Sequence, residues 1–438
     1  MPVTPPYPGY LKRLAERVAR ERAQADPPPP SPFAGCGTDV VQAVTRTVEG
    51  AADDLVALSH DLHANPELGY EEHRSVRRLA GVLADHGQDA EVGAFGLDTA
   101  LRAEAGGGDG PRVAVLAEYD ALPGIGHACG HNVIAATAAG AFLGLAGLAA
   151  DLGGTVLLYG CPAEEGGGGK ELMARARAFD GVDAVVMLHP AGFEVAEHPW
   201  LGVRTVDVTY HGLAAHASAF PFLGRNALDA VVQAYTGLTH LRQHMLPTDR
   251  VHGIITDGGQ KPNIVPDHSA ASFYLRSAEP ETLRELSGRA REILEAAALS
   301  TATAADISWD PTPTYLPVRN NGPLAARYAQ HMGARGRTVL PAGVVPESFT
   351  GSTDLGNVSV RVPAIHPTMA IAPIGVSIHN PEFTRYAAGP EADRGCVDGA
   401  LGLALTAADL LADEELRAAT RKAFEDAGGV LDIDELLS

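Results

Sequence analysis

The chain has 438 residues, 45% of them apolar, with 33 basic against 54 acidic side chains and a formal charge of −21. Such a length predicts roughly two to three domains with sizeable cores, and no uninterrupted apolar run reaches the ~20 residues of a membrane span. The acidic balance argues against nucleic acid and anionic membrane as partners, and it suits a soluble protein.

Residues 1–45 carry no apolar signal core, so no export is expected. They read as a short basic helix followed by a Pro-rich linker. Cys36, Cys129, Cys161 and Cys396 are scattered, with no CxxC spacing. A reducing, cytoplasmic setting is expected rather than a disulfide framework.

From 46 to 202 strand and helix patterns alternate. "ADDLVALSHDLHANPELG" starts helical and ends in a proline turn. "RVAVLAEYDAL" (112–122) is a buried-strand run, and a long Ala- and Gly-rich helix follows it. "GTVLLYGCPAEE" (154–165) is a second strand, "GKELMARARAF" a short helix and "VDAVVMLHP" (182–190) a third strand. This alternation predicts an α/β domain with a mostly parallel sheet covered by helices, with ligands at the C-terminal ends of the strands.

The pattern changes near 203. "VRTVDVTYHG", a helix over "NALDAVVQAYTGLTHLRQHM", strands "VHGIITDGG" and "HSAASFYLRS", a helix "PETLRELSGRAREILEAAALST" and a strand "AADISWDPT" follow in turn. That order is β-α-β-β-α-β, a ferredoxin-like domain over 203–312. From 313 to 438 the α/β style resumes, so the smaller domain is inserted into the larger.

Unusual side chains gather where strands end. "GIGHACGHN" (124–132) holds Cys129 and His131, which could ligate a metal or merely pack. "CPAEEGGGG" supplies Glu164 and Glu165. One of such a pair can bind metal while its neighbour acts as general base toward an activated water, although a solvated acidic turn is the bland alternative. A phosphate loop is excluded, because Lys170 is followed by Glu171 where Ser or Thr is needed. His189 ends the third strand and His379 follows a later apolar run. Each is weak alone. Together Cys129, His131, Glu165, His189 and His379 suit two metal ions a few Å apart.

These stretches, with "DLHANPELGYEEH", "HGLAAHASAFPFLGRNALDAVV", "PNIVPDHS" and "HNPEF", resemble in order the motifs of the aminoacylase and carboxypeptidase-G type metallopeptidases. The similarity is greatest to the amidohydrolase branch that holds aminobenzoyl-glutamate hydrolase, auxin-conjugate hydrolases and the Xaa-Arg dipeptidase, and it covers roughly residues 50–400. The resemblance implies a di-metal catalytic domain with an inserted lid that closes through hinges near 200–204 and 312–318 and makes a homodimer. It implies Cys129, His131, Glu165, His189 and His379 as metal ligands, Glu164 as general base, and Asp120 orienting a ligand. It implies His216 as donor to the scissile carbonyl oxygen, reaching into the partner subunit's active site, and Asn263 and Arg276 as holders of a substrate carboxylate. Glu118 stands where much of the wider family has histidine. The resemblance gives His127 no ligand role, and His63 is expected to be structural.

The expected activity is amide hydrolysis of small N-acyl amino acids or dipeptides with a free carboxylate. It would use two divalent ions, zinc or manganese foremost, with cobalt or nickel open. A deacetylase of small metabolites and a non-catalytic binding protein on the same scaffold are the rival readings.

Overall fold

The structure is a computed structural model and describes residues 3, 6–24, 30–346 and 349–437. Residues 25–29, most of the expected Pro-rich linker, lie outside the described residues. The basic helix before them is α1 (Gly9–Gln24), which seats Leu14 and Val18 against Val195, Leu340 and Val345.

In chain order α2 (Thr38–Gly50), α3 (Ala52–Ala64) and α4 (His73–Asp85) precede β1 (Ala90–Val92) and β2 (Leu101–Gly106). Then come β3 (Arg112–Glu118), α5 (His131–Ala146), β4 (Thr155–Cys161), α6 (Gly169–Arg175), β5 (Ala184–Val186) and β6 (His189–Ala191). Next are β7 (Gly202–His211), α7 (Ala227–Leu241), β8 (Arg250–Asp257), β9 (His268–Ser277), α8 (Pro280–Thr301) and β10 (Ala304–Trp309). The chain continues through α9 (Gly322–Ala334), α10 (Leu355–Ser359), β11 (Ala364–Ile365), β12 (Thr368–Ala370), α11 (Pro381–Tyr386), α12 (Pro390–Ala412), α13 (Glu414–Asp426) and α14 (Ile433–Leu437).

Contacts divide these elements into two compact units. The first holds Met1–His198, Arg319–Phe349 and Val358–Leu431; the second holds Pro199–Val318, Thr350–Asn357 and Asp432–Ser438.

The first unit carries a six-stranded sheet in the order β1-β2-β4-β3-β5-β11. β4, β3, β5 and β11 run parallel, and the β1–β2 hairpin adds an antiparallel edge, with β2 pairing antiparallel to β4, that the sequence pattern does not announce. β3 and β4 are apolar and buried almost end to end, as a sheet covered on both faces requires. Helix α5 is buried along its length because small residues line it. A Cβ on Gly140 would stand 2.7 Å from that of Ala400 on α12, so glycine permits the close crossing of the two helices. Helix α12 is long and apolar enough to cross a membrane, but 83% of its apolar window is buried inside the protein, as fits a core helix.

One expected strand is in fact two. The run 182–190 breaks after β5, and β6 leaves the large sheet to pair with β12. Its partner breaks at the same level, where Pro367 has no amide hydrogen to continue the ladder from β11.

The second unit is an antiparallel sheet in the order β10-β7-β9-β8 with α7 and α8 packed on it, the expected β-α-β-β-α-β order. Asn226 caps α7 by accepting from the Leu228 amide. Strand β8 lies at the sheet edge, with Ile254 and Ile255 exposed.

Candidate active site

The first unit brings the predicted donors together from four loops. Glu118 ends β3, and Asp120 lies two residues beyond, fully buried. Asp120 Oδ1 is 2.9 Å from His131 Nδ1. That contact commits a proton to Nδ1, so Nε2 is the nitrogen left to meet a cation. The Nε2 atom lies 3.5 Å from Glu118 Oε2, 3.7 Å from Glu164 Oε2 and 4.0 Å from Glu165 Oε1.

The loop after β4 carries Glu164 and Glu165, and the Glu165 amide donates to Asp120 Oδ2 at 2.9 Å. At the start of β6, His189 Nε2 is 3.3 Å from Cys129 Sγ, and its Nδ1 lies 2.7 Å from the Pro190 carbonyl oxygen. His379, exposed at the rim, sets Nε2 3.2 Å from Glu165 Oε1. Its amide donates to the Ala128 carbonyl, which ties the His379 loop to the Cys129 loop.

The donors form one group of Cys129, His131 and His189 and another of Cys129, Glu165 and His379, with the ligand atoms of each within 4.8 Å of one another. Cys129 is common to both. A third group joins Glu118, His131 and Glu164. His131 Nε2, Glu165 Oε1 and Glu118 Oε2 are buried atoms without a hydrogen-bond partner among the described residues. Such atoms are costly unless a cation meets them, so the residues present fit a pair of divalent ions.

The electrostatics agree with that fit. Burial, and then the Glu165 charge, pushes the Cys129 thiol well up, and a bound cation reverses that preference. Burial and neighbouring His131 hold His189 down to about 3, so its ring is neutral. Burial opposes ionisation of Asp120, but the charge and hydrogen bond of His131 outweigh it and keep the carboxyl low.

His127 falls outside these groups; it is buried, with its ring 6.4 Å from that of His63. Burial holds it down to about 3. Two further residues of this site escape sequence reasoning. Glu118 is marked there only by its departure from histidine. Lys170, fully buried and ion-paired with Glu118, is marked only by its mismatch to a phosphate loop.

The remaining candidates belong to the second unit. His216 Nδ1 accepts from the Ser218 and Ala219 amides, each at 3.2 Å, which puts its proton on the exposed Nε2. The Asn263 carbonyl accepts from the Ala217 amide, so His216 and Asn263 stand on adjoining segments. Arg276 on β9 donates to Ser352 Oγ at 2.7 Å and lies over the Tyr274 ring.

Comparison with known proteins places this architecture. Residues 201–302 match the peptidase dimerisation domain of M20 type. The chain is 40% identical over 391 residues to the Xaa-Arg dipeptidase of Mus musculus, spanning 86% of this chain and 90% of that one. The chain belongs to the M20 metallopeptidase family. This M20 enzyme is also 32% identical to a p-aminobenzoyl-glutamate hydrolase polypeptide of Escherichia coli, over 67% of its own length and 66% of that protein's. Its fold is that of a dinuclear metal-binding M20 peptidase from Bacillus subtilis, with a TM-score of 0.58 at 21% identity over 80% of this chain and 98% of that one. The expected α/β fold with its inserted domain and the expected enzyme class therefore hold: the protein is a metal-dependent hydrolase of amide bonds.

Proposed function

We propose that this M20 enzyme is a dipeptidase that releases a basic C-terminal amino acid, with Glu164 as its general base. The observation that carries the role of Glu164 is its place: 5% exposed, its Oε2 3.7 Å from His131 Nε2, and adjacent in sequence to Glu165 of the second donor group. The 40% identity to a dipeptidase named for C-terminal arginine supports the substrate class. The net charge of −21 favours cationic substrates in the same direction.

In this reading Cys129, His131, Glu165, His189 and His379 hold two divalent ions, zinc or manganese. When bound, the ions supply Lewis acidity that acidifies water and polarises the amide carbonyl. Glu164 takes a proton from the attacking water as its oxygen bonds to the amide carbon. It then gives that proton to the leaving nitrogen as the carbon–nitrogen bond breaks, which yields a carboxylic acid and an amine, and the acid's remaining proton passes to the amine to leave a carboxylate and an ammonium group. Asp120 keeps His131 in the ligating tautomer. His216, reaching into the partner subunit's active site, donates its Nε2–H to the carbonyl oxygen as charge develops there. Asn263 and Arg276 hold the substrate carboxylate, Arg276 as a two-pronged donor.

The domain spanning 203–312 serves as lid and dimer contact. Support for a homodimer comes from the match to a dimerisation domain and from the exposed isoleucines on edge strand β8. The cytoplasm is the proposed compartment, in keeping with cysteines that form no disulfide among the described residues.

The test is amine release from a panel of dipeptides and N-acyl amino acids by the protein supplied with Zn²⁺ or Mn²⁺. Cleavage confined to C-terminal Lys, Arg or ornithine supports the proposal. Cleavage confined to aminobenzoyl-glutamate or to N-acetyl compounds replaces the substrate class, and no cleavage by the metallated protein removes the enzymatic reading of this site.

A further inference from the structure

We infer that Glu72 is a positioning residue for the general base, holding the turn from which Glu164 projects. The inference rests on the assignment of Glu164 as base. Glu72 immediately precedes α4 without its side chain capping that helix, is completely buried and belongs to none of the donor groups. Its Oε1 accepts from the Ala163 amide at 2.8 Å, and its Oε2 accepts from Thr99 Oγ1 at 2.8 Å.

Ala163 immediately precedes Glu164 and has φ +54, the left-handed region. For a residue with a Cβ that conformation is unfavourable, so the turn persists only if its surroundings impose it. The surroundings come from one short segment, 65–72. Gly69 lies against Ala163, where a Cβ would come within 2.9 Å of the alanine methyl. Tyr70 donates its hydroxyl hydrogen to the Gly167 carbonyl at 2.7 Å. The Glu67 carbonyl accepts from the Ala121 amide at 2.8 Å.

The turn is therefore held on both sides by buried carboxylates: Glu72 on the amide before Glu164 and Asp120 on the amide after it. This gives a task to the "NPELGYEE" stretch, which the chemistry of the donors leaves unused.

Two variants separate the reach of the side chain from its carboxyl chemistry. Glu72→Asp keeps the carboxyl group and shortens the reach; Glu72→Gln removes the carboxyl group and keeps an oxygen that accepts from Ala163. Positioning predicts that Glu72→Asp lowers kcat by about 10²-fold, the scale of a misplacement near 1 Å, with KM, metal content and unfolding midpoint close to the parent. It predicts that Glu72→Gln stays within several-fold of the parent. In a Glu164→Ala background Glu72→Asp should change the residual rate less than about twofold, because coupled residues are not additive. Equal loss in both backgrounds, a fully active Glu72→Asp, or Glu72→Gln more impaired than Glu72→Asp would overturn the inference. If Glu164→Ala alone keeps normal turnover, the base assignment fails rather than the hold of Glu72 on the turn.

Discussion

Asp120 Oδ1 lies 2.9 Å from His131 Nδ1 inside a site where both side chains are fully buried. The other oxygen of the same carboxylate fixes the Glu165 backbone. One residue thus orients the imidazole of one donor group and the chain that presents the carboxylate of the other.

Asp120→Ala should therefore weaken metal binding at both groups. A loss of about 10- to 100-fold in Zn²⁺ affinity is expected, read by competition with a chromophoric chelator. Unchanged affinity would mean that Asp120 does not orient the ligands.

Lys170 and Glu118 form an ion pair between two side chains with no exposed surface. Removing one partner leaves a buried charge alone, which costs roughly 3–5 kcal/mol. Lys170→Met should lower the urea midpoint sharply, and Lys170→Met combined with Glu118→Gln should recover most of it. A single variant as stable as the parent would show that the pair is not what neutralises Glu118.

Stability should also depend on Glu194. Burial pushes its carboxyl up to about 7 despite the nearby Arg337. The raised value means that the folded state keeps the proton longer than the unfolded chain does. The stability this contributes is complete below about pH 4.5 and is lost as pH rises to 7, on the order of 3 kcal/mol in all. Glu194→Gln should raise the unfolding midpoint at pH 8 and leave it nearly unchanged at pH 4.5. A variant with the same pH dependence as the parent would contradict the burial argument.

Much of this site is legible in the sequence because chemistry-bearing residues stand out against apolar strands. Cys129, His131, Glu164 and Glu165 follow such runs, and the structure brings their side chains together with His189 and His379. The alternating pattern of β7 and the apolar runs of β3 and β4 likewise announce their elements. Glu72 and Lys170 are not legible. Each is one charged residue in a polar stretch, and only tertiary contact shows it to be buried. The break between β5 and β6 is hidden for a related reason: the proline that interrupts the ladder sits in the partner strand, far along the chain.

The central claim is that Glu164 moves the proton. The most direct measurement is turnover of Glu164→Ala on whichever panel substrate the parent cleaves, alongside its metal content and unfolding midpoint. The account predicts unchanged metal and midpoint, with kcat lowered by about 10²- to 10⁴-fold. Near-normal turnover by a fully metallated Glu164→Ala protein would contradict it.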